Sequence, residues 1–259
     1  MSTVSVIVPS IPSRSSNGLL LKALVSISKQ STSVQVILAV EKDTEVPEEA
    51  WGLIDEVVEA PTQSAKVNLA ASVAKGDYLA ILHDDDMWHP HFLKTALPVL
   101  RDVEFVTSTS LEVDENGEVI RIDDYPNPSG WIMRREVFFD VGPWSDAYRW
   151  HPDTDWLGRL GERISSRAHL IESTAPIDPV TINQARHGGL LQDRPGLCFF
   201  LRYSRPTAQL TRHSLPIPLV TKRHLNESIM YRVAYDRACQ AQSNAEQAKI
   251  RARYGFCPW

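Results

Sequence analysis

The chain has 259 residues, of which 43 % are hydrophobic and 23 % charged, a balance typical of a soluble globular protein with a substantial core. The formal net charge is −5 and no long basic run occurs, so the composition does not favour general electrostatic attraction to nucleic acid. The 3 cysteines are widely spaced and form no CxxC pair, which argues against a structural zinc site and fits a reducing compartment.

Membrane insertion is not indicated by the sequence. The N-terminus has no basic segment followed by an apolar stretch, so no signal peptide is predicted. No uninterrupted run of about 18 apolar residues is present that could span a bilayer. We therefore expect a cytoplasmic protein, and peripheral contact at the inner membrane surface stays open as an alternative.

Strands and helices alternate in the first hundred residues. The apolar and β-branched runs predict strands at residues 4–8, 34–40, 54–58 and 78–82. Apolar residues at helical spacing predict the intervening helices at residues 20–27, 64–75 and 93–100. This alternation predicts an α/β fold with a mainly parallel sheet flanked by helices.

Polar groups follow three of these strands at their carboxyl ends. A Pro- and Ser-rich loop follows Val8, acidic residues follow Val40, and the run Asp84-Asp85-Asp86 follows Leu82. Because ligands of parallel sheets bind beyond the carboxyl ends of the strands, we expect these groups to converge on one edge. The sequence thus predicts a ligand site at that edge.

The pattern changes after residue 101. Residues 104–109 and 111–122 have extended character, and Asn116-Gly117 is a good hairpin turn. A short strand is predicted at residues 131–133. Helices are predicted at residues 134–140, 153–164 and, as a long polar helix, 225–254. The second half therefore predicts a small antiparallel part and a mostly helical C-terminal extension.

The three adjacent carboxylates suggest a metal site. In the alternative interpretation they form a solvated turn or cap a helix. Burying one end of such a cluster would cost several kcal/mol without a cation. Mg²⁺ and Mn²⁺ prefer oxygen ligands and also bridge phosphates, so a divalent ion would remove the conflict. A departing diphosphate needs the same neutralisation, because negative charge builds on it.

Several segments occur in a characteristic order and spacing. They are residues 4–14 (VSVIVPSIPSR), the helix ending in Ser28-Lys29-Gln30, 66–70 (KVNLA), 74–90 (AKGDYLAILHDDDMWHP), 130–138 (GWIMRREVF), 141–142 (VG) and 153–156 (DTDW). Each segment alone is weak, but the ordered set resembles the family 2 glycosyltransferases of GT-A fold. The resemblance implies a Rossmann-like GT-A domain over residues 1–188, and an extension over residues 189–259. Within that domain, residues 1–101 would bind the nucleotide sugar and residues 102–188 the acceptor.

The resemblance also implies an activity. A metal-dependent enzyme using Mn²⁺ or Mg²⁺ would move a sugar from a nucleotide-diphosphate sugar, with a UDP-sugar as first choice, to an acceptor hydroxyl with inversion. By their positions in these segments, the residues that the resemblance implies for donor binding are Pro9, Ser10, Arg14, Glu41, Asp43, Lys66, Asn68, Asp84 and Asp85. Of these, Pro9, Ser10 and Arg14 would line the nucleotide pocket. Glu41 or Asp43 would meet the base, beside Lys66 and Asn68.

The metal would lie on a DXD-like pair, Asp84 and Asp86, with Asp86 as the main ligand. His83 stands where many family members have the first Asp, so Asp85 is the alternative main ligand. His187 is a further candidate, since family members often place a His after the acceptor region, within reach of the metal or diphosphate. A loop surface residue is the alternative interpretation of His187.

An inverting transfer needs a general base near the acceptor hydroxyl. Asp155 is the first choice and Asp153 the second, because the family usually has Glu-Asp here and this sequence has Asp-x-Asp. Asp153 could instead simply cap a helix. Trp156 could raise the pKa of a neighbouring carboxyl by desolvation, and its ring suits a sugar face. Trp131 is interpreted as a core residue or a wall of the acceptor pocket.

The acceptor is not specified by the sequence. A saccharide, a lipid-linked glycan, a protein, a small metabolite and a modified nucleic-acid base all stay open. The extension carries the basic residues Arg202, Arg205, Arg212, Lys222 and Arg223. These would suit a polyanionic acceptor or an anionic membrane, whereas the alternatives are a solvated helical tail or a homo-oligomer contact.

Two other functions share parts of this pattern. A sugar nucleotidyltransferase also uses a parallel sheet, a metal and a nucleotide, but it normally has a Gly-rich basic loop after the first strand. Here that loop contains no Gly before Gly18. A non-catalytic nucleotide-sugar-binding module would be indicated by loss of the acidic residues at Asp84 and Asp86 or on the acceptor side, and both sets are present.

Overall fold

A mainly parallel β-sheet forms the centre of the protein. The structure is a computed structural model that describes residues 3–123, 125–163, 166–172, 199–205, 219–225 and 233–254. Its strands are β1 (Val4–Pro9), β2 (Val34–Val40), β3 (Glu56–Glu59), β4 (Tyr78–Ile81), β5 (Met87–Trp88), β6 (Phe105–Ser108), β7 (Ser110–Val113), β8 (Val119–Asp123), β9 (Ile132–Arg134), β10 (Ser166–Glu172), β11 (Phe199–Arg205) and β12 (Val220–Arg223).

Helices flank this sheet. The α-helices are α1 (Pro12–Ser16), α2 (Leu19–Ser28), α3 (Gln63–Val73), α4 (Phe92–Val99), α5 (Arg135–Val141), α6 (Pro152–Arg163) and, in the extension, α7 (Arg237–Tyr254). Two 3₁₀ helices span Glu48–Leu53 and Pro128–Gly130. The start of α3 shows how the sequence sets these bounds. Thr62 is its N-cap, and the Thr62 hydroxyl accepts a hydrogen bond from the backbone N–H of Ala65 over 3.0 Å.

The strand order places the predicted ligand edge near the middle of the sheet. Across the described residues the main sheet runs β11-β10-β6-β9-β4-β1-β2-β3. Within that sheet, as far as it is described, only β9 is antiparallel to its neighbours, β4 and β6. The central strands β4, β1 and β2 are mutually parallel, so their carboxyl ends lie along one edge. This mixed sheet with flanking helices confirms the predicted α/β fold class.

A smaller sheet stands beside the main one. Among the described residues its order is β5-β12-β7-β8, with β12 parallel to β7 and antiparallel to β5. Strand β5 directly follows the acidic triplet, so this sheet borders the predicted site. The hairpin between β7 and β8 contains the predicted turn, where Gly117 has a φ of +88°.

Both faces of the main sheet are buried. Along β1, Val6 and Val8 pack into the same cluster as Leu20 and Leu24 of α2. Ile7, which points the other way, packs with Val67 of α3. Because alternate residues of a strand face opposite sides, a strand covered by helices on both faces must be apolar throughout. This explains why the strands of the first half are recognisable as continuous apolar runs.

The described part of the C-terminal extension contains strands as well as helix. The sequence predicts a mostly helical extension, with a long helix over residues 225–254. The described residues of the extension are helical at 233–235 and in α7 from Arg237, and they also supply β11 to the main sheet and β12 to the small sheet. β12 has only 4 residues, so its structure depends on the strands with which it pairs. None of the described helices is long and apolar enough to cross a membrane.

The turn before β4 generates a stability prediction. A Cβ atom at Gly76 would lie 2.6 Å from the backbone nitrogen of Ser5 and 2.8 Å from the backbone oxygen of Thr3. Gly76→Ala should therefore lower the free energy of unfolding by about 1–3 kcal/mol, because backbone has to move. Urea unfolding followed by circular dichroism would measure this change.

Gly52 provides the matched control. No atom lies within 4 Å of a Cβ built at Gly52, so Gly52→Ala should change the free energy of unfolding by less than about 1 kcal/mol. Equal effects of the two substitutions would contradict the proposed close approach at Gly76.

Candidate functional site

The carboxyl ends of β4 and β1 are joined by Asp84. Its side chain is buried, and Oδ2 accepts hydrogen bonds from the hydroxyl of Ser10 over 2.7 Å and from the backbone N–H of Ile11 over 3.0 Å. Burial, and secondarily the negative charge of Asp85, raises the pKa of Asp84 to about 7. Asp84 thus holds the loop after β1 against the triplet. Its burial disfavours the charged form of the carboxyl group.

Asp86 joins the same strand end to two later parts of the chain. Its Oδ2 accepts a hydrogen bond from the hydroxyl of Ser129 over 2.5 Å, and its Oδ1 accepts one from the backbone N–H of Arg223 over 3.0 Å. Burial and the charge of Asp85 raise the pKa of Asp86 to about 8. The two hydrogen bonds therefore fix the position of Asp86, but they only partly offset the cost of burying its negative charge.

Asp85 is the more accessible member of the triplet. Its side chain retains 18 % of its exposure, and Oδ2 lies 3.5 Å from the guanidinium nitrogen Nη2 of Arg14. Arg14 is itself buried within α1, the short helix in the loop after β1. The predicted nucleotide-side arginine and the triplet are thus in contact.

A second ion pair closes the β1–β2 end of the edge. Lys66 of α3 is buried, and its Nζ donates to the backbone oxygen of Ser10 over 2.8 Å and to Oε1 of Glu41 over 3.3 Å. The side chain of Glu41 is 42 % exposed and follows β2. Pro9, Ser10, Lys66 and Glu41, all predicted donor-side residues, therefore lie together at this end of the edge.

Two predicted donor-side residues have other surroundings. Asn68 binds the backbone of Trp144, since its amide nitrogen donates to the carbonyl over 2.9 Å and its oxygen accepts the N–H over 2.8 Å. Its amide therefore holds the loop at Trp144, and the structure does not bring it to the triplet. Asp43 is exposed in a turn, with a φ of +62°, and it is Glu41 that contacts Lys66.

His83 lies between Leu82 and the acidic triplet. Its backbone N–H donates to Ser129 over 3.1 Å, and its Nε2 is buried with no hydrogen-bond partner among the described residues. Burial lowers the pKa of His83, while the charges of Asp85 and Asp153 raise it. The pKa of the imidazole thus depends on carboxylates of both the triplet and helix α6.

The two candidate bases on α6 have different environments. Asp155 is 1 % exposed, and it accepts from Nε of Arg159 over 3.0 Å and from the hydroxyl of Tyr254 over 3.0 Å. The side chain predicted first as the base is thus occupied in packing α6 against its surroundings. Both oxygens of Asp155 therefore already have hydrogen-bond donors within the protein.

Asp153 has the electrostatic properties expected of a base. Its pKa is raised by burial, whereas backbone hydrogen bonding and the positive charges of His151 and His83 lower it. A carboxylate with a raised pKa is a better proton acceptor near neutral pH. Asp153 lies in the first turn of α6, and its negative charge raises the pKa of His83.

Both predicted acceptor-binding tryptophans are in the core. Trp131 and Trp156 are 0 % exposed, with ring centroids 5.3 Å apart. Their indole N–H groups donate to the backbone oxygens of Pro126 and Gly142, respectively. Neither ring face is accessible in the described residues, which favours the core interpretation over direct stacking on an acceptor.

Strand β12 contributes residues that the sequence does not reveal. Glu112 of β7 is buried, and its carboxylate lies 2.9 Å from Nζ of Lys222 and 3.0 Å from Nε2 of His224. This pairing holds β12 where Arg223 reaches Asp86. The sequence suggests that Lys222 and Arg223 bind a polyanion or membrane, or lie in a solvated tail. They instead belong to a sheet that borders the site.

The remaining predicted metal ligand, His187, lies outside the described residues. Within the described ranges, no three His, Cys, Asp or Glu side chains converge into an all-protein metal site. Mg²⁺ and similar ions are commonly held by one or two carboxylates, with substrate phosphates supplying other ligands. Asp85 and Asp86 fit that donor set, because both present carboxylate oxygens and hydrogen bonds fix the orientation of Asp86.

Comparison with known proteins gives a consistent family. A family model described as "Glycosyltransferase like family 2" matches residues 2–156, which is more than half of the chain. No protein of curated function matches the sequence at a significant level.

Solved structures match this chain at low sequence identity. TarS 1-349 of S. aureus in complex with UDP is 16 % identical, with a TM-score of 0.51, and the match covers 61 % of this chain and 55 % of that chain. The mannosyltransferase PcManGT from Pyrobaculum calidifontis, in complex with GDP-Man and Mn²⁺, is 16 % identical with a TM-score of 0.45, and the match covers 61 % and 51 %. The chain thus spans about half the length of these solved chains.

The raised pKa values predict how the stability of the metal-free protein depends on pH. Asp84 and Asp86 titrate at about 7 and about 8 when folded, but near 3.8 when unfolded. Between these limits the folded state binds more protons, so the free energy of unfolding should fall as pH rises. From pH 5 to pH 8 we expect a fall of several kcal/mol, up to about 7 kcal/mol, measured by urea unfolding in EDTA.

Asp86→Asn should reduce this fall, because the amide cannot ionise and can still hydrogen bond with Ser129 and Arg223. Glu59→Gln, at an exposed position on β3, is the control and should keep the wild-type pH dependence. A fall in Asp86→Asn as large as that in the wild type would contradict the assignment to this carboxyl.

Proposed function

The chain belongs to the glycosyltransferase-like family 2, and from that membership we propose that it transfers a sugar from a nucleoside-diphosphate donor to an acceptor hydroxyl, with inversion and with a divalent metal ion. The observation that carries the proposal is the carboxylate triplet at the end of β4, where Asp84 and Asp86 are buried and Asp85 contacts Arg14, together with Asp153 in the first turn of α6. The carboxylates of the triplet would hold the metal ion that binds the diphosphate. Asp153 would accept the proton of the acceptor hydroxyl.

On the donor side, the proposal assigns binding to the residues at the ends of β1, β2 and β4. Glu41 is the exposed acid that would meet the nucleoside, and Lys66 supports it through the ion pair at 3.3 Å. Arg14 would face the diphosphate, since a buried guanidinium beside the triplet can bind phosphate oxygens. TarS, which shares the fold, is described in complex with UDP, so UDP is the first nucleotide to test.

The divalent ion would be held by Asp86 and Asp85, with Asp84 mainly fixing the loop after β1. Such an ion supplies Lewis-acid stabilisation of the negative charge on the departing diphosphate. The donor set consists of carboxylate oxygens, which suit Mn²⁺ and Mg²⁺. Ser129 and the backbone of Arg223 hold Asp86 in a fixed orientation through their hydrogen bonds.

On the acceptor side, Asp153 is the proposed general base. The acceptor oxygen forms a bond to the anomeric carbon as the bond between that carbon and the phosphate oxygen breaks. The nucleoside diphosphate leaves with the electron pair, and the proton of the acceptor hydroxyl passes to the carboxylate of Asp153. The attack opposite the leaving group inverts the configuration at the anomeric carbon.

Thermal-shift measurements with nucleotides would test the donor side. The screen would compare UDP, GDP and a panel of nucleotide sugars. The nucleotides that carry the correct base should raise the melting temperature in the presence of Mn²⁺, and much less in EDTA. A ligand at one hundred times its dissociation constant stabilises by about 2.7 kcal/mol, which is readily detected. Asp85→Asn should remove most of the Mn²⁺-dependent part, whereas the exposed Glu59→Gln should retain it.

An equal shift with and without Mn²⁺ would overturn the metal assignment. Binding of a nucleotide sugar without any release of nucleoside diphosphate, even with a broad panel of acceptors, would favour a non-catalytic binding module instead.

Substitution of the two acidic residues on α6 would test the base. Asp153→Asn should slow release of nucleoside diphosphate from the donor by about 10²–10⁴-fold, while nucleotide affinity changes by less than about twofold. Asp155→Asn loses charge-assisted bonds to Arg159 and Tyr254, so it should lower the free energy of unfolding by about 1–3 kcal/mol with a smaller loss of rate. If Asp155→Asn folds normally and is the slower enzyme, the base assignment is wrong.

A further inference from the structure

We propose that helix α7 positions the acceptor-side base, and that Glu246 is its main positioning residue. This inference rests on the proposed function, because it assigns α7 a role through Asp153. It is carried by contacts that α7 makes with the chain on both sides of Asp153, at residues 149–151 before it and at Asp155 and Gly158 after it.

The contact before Asp153 is a carboxylate bound by three consecutive backbone N–H groups. Oε1 of Glu246 accepts from Arg149 over 2.9 Å, and Oε2 accepts from Trp150 over 2.9 Å and from His151 over 3.1 Å. Consecutive N–H groups that converge in this way fix the backbone around an anion. Pro152, the first residue of α6, follows at once, so Glu246 fixes the entry into that helix.

Other residues of α7 reinforce this entry. Oγ of Ser243 lies 2.7 Å from Nε2 of His151, and Oε1 of Gln242 accepts from the indole N–H of Trp150 over 3.4 Å. Ser243 and Glu246 are three residues apart and therefore share one face of the helix. Ser243 is 1 % exposed, so this face is packed against the protein. The negative charge of Glu246 also lies at the N-terminal end of α6, where the helix dipole favours it.

The contact after Asp153 is made by Tyr254, at the end of α7. Its hydroxyl donates to Oδ1 of Asp155 over 3.0 Å, and it lies 3.2 Å from the backbone oxygen of the same residue. Burial, and then the charge of Asp155, raises the pKa of Tyr254, which keeps the phenol protonated as a donor. A Cβ at Gly158 would lie 2.5 Å from the Tyr254 ring, so the ring packs directly on the backbone of α6.

The two contacts together restrain Asp153 from both directions. His151 is two residues before Asp153 and Asp155 is two residues after it, and each is bound to α7. Rotation or translation of the first turn of α6 would therefore break bonds to Glu246 or to Tyr254. A base has to be placed within hydrogen-bond reach of the acceptor hydroxyl, and a displacement of about 1 Å can cost about 100-fold in rate. A helix far along the chain thus sets the position of the base.

The decisive experiment combines substitutions at Glu246 and Asp153 in the full-length chain. Glu246→Ala should slow release of nucleoside diphosphate from the nucleotide sugar by about 10–100-fold, with the donor KM and the Mn²⁺-dependent nucleotide affinity within about twofold of the wild type. Glu246→Gln keeps an oxygen acceptor for Trp150 and His151, and should recover part of the rate. Asn244→Ala, at an exposed position of the same helix, should have the wild-type rate.

A double-mutant comparison separates positioning from general support. If Glu246 acts through Asp153, then Glu246→Ala should slow the Asp153→Asn enzyme by less than about twofold. An undiminished effect in that background would overturn the inference, and so would a wild-type rate in Glu246→Ala. Parallel loss of nucleotide affinity would indicate a global defect and would equally overturn it. A normal rate in Asp153→Asn alone would instead refute the base assignment, which belongs to the proposed function.

Hydrogen exchange gives a readout that does not require turnover. The amides of residues 149–151 should exchange at least about tenfold faster in Glu246→Ala than in Asn244→Ala, because their acceptor is removed. The amides of β1 and β4, in the donor half, should be unchanged. Unaltered protection at residues 149–151 would show that α7 does not restrain the entry into α6, whatever the activity of the enzyme.

Discussion

The burial of two carboxylates at the end of β4 is the constraint on which the donor edge depends. Asp84 and Asp86 are 6 % and 2 % exposed, and each needs donors to offset lost hydration. Asp84 receives them from Ser10 and the backbone of Ile11, and Asp86 from Ser129 and the backbone of Arg223. The loop after β1, the 3₁₀ helix before β9 and strand β12 are therefore all tied to one strand end.

Hydrogen bonds alone do not neutralise this edge. Arg14 and Lys66 are buried cations nearby, but Arg14 pairs with Asp85 and Lys66 with Glu41. Asp84 and Asp86 receive their hydrogen bonds from neutral donors, and their pKa values stay raised. The edge has a shortage of positive charge at its two most buried carboxylates. A ligand that arrives with its own cation would relieve this shortage, whereas a bare anion would increase it.

The parts of this arrangement that could be predicted from the sequence are those set by local pattern. Residues 4–8 and 78–82 are mostly apolar because both faces of their strands are covered. Only His83 separates the second run from the triplet. The contact between Asp86 and Arg223 could not be predicted, because the two residues are 137 positions apart and meet through a backbone N–H. No side-chain pattern encodes such a bond, and β12 has too few residues to be recognised alone.

The same limit applies to the two acidic residues at the start of α6. Asp153 and Asp155 are equivalent in a sequence that shows only acid, spacer, acid, and adjacency to Trp156 favours Asp155. The structure separates them because Tyr254, 99 residues further on, donates to Asp155, as does Arg159. Only tertiary packing reveals which carboxylate is already saturated. The buried tryptophans obey the same rule, since a large aromatic ring serves the core as well as it serves a ligand.

The acceptor side depends on a balance of opposing electrostatic effects. Burial raises the pKa of Asp153 and increases its basicity, but too large an increase would leave it protonated and unable to accept a proton. His151 and His83 oppose the increase when they are charged, and burial of His83 lowers its own pKa and weakens that opposition. Asp85 also raises the pKa of His83, so carboxylates of the triplet and of α6 act on the same imidazole and the protonation of the three groups is linked.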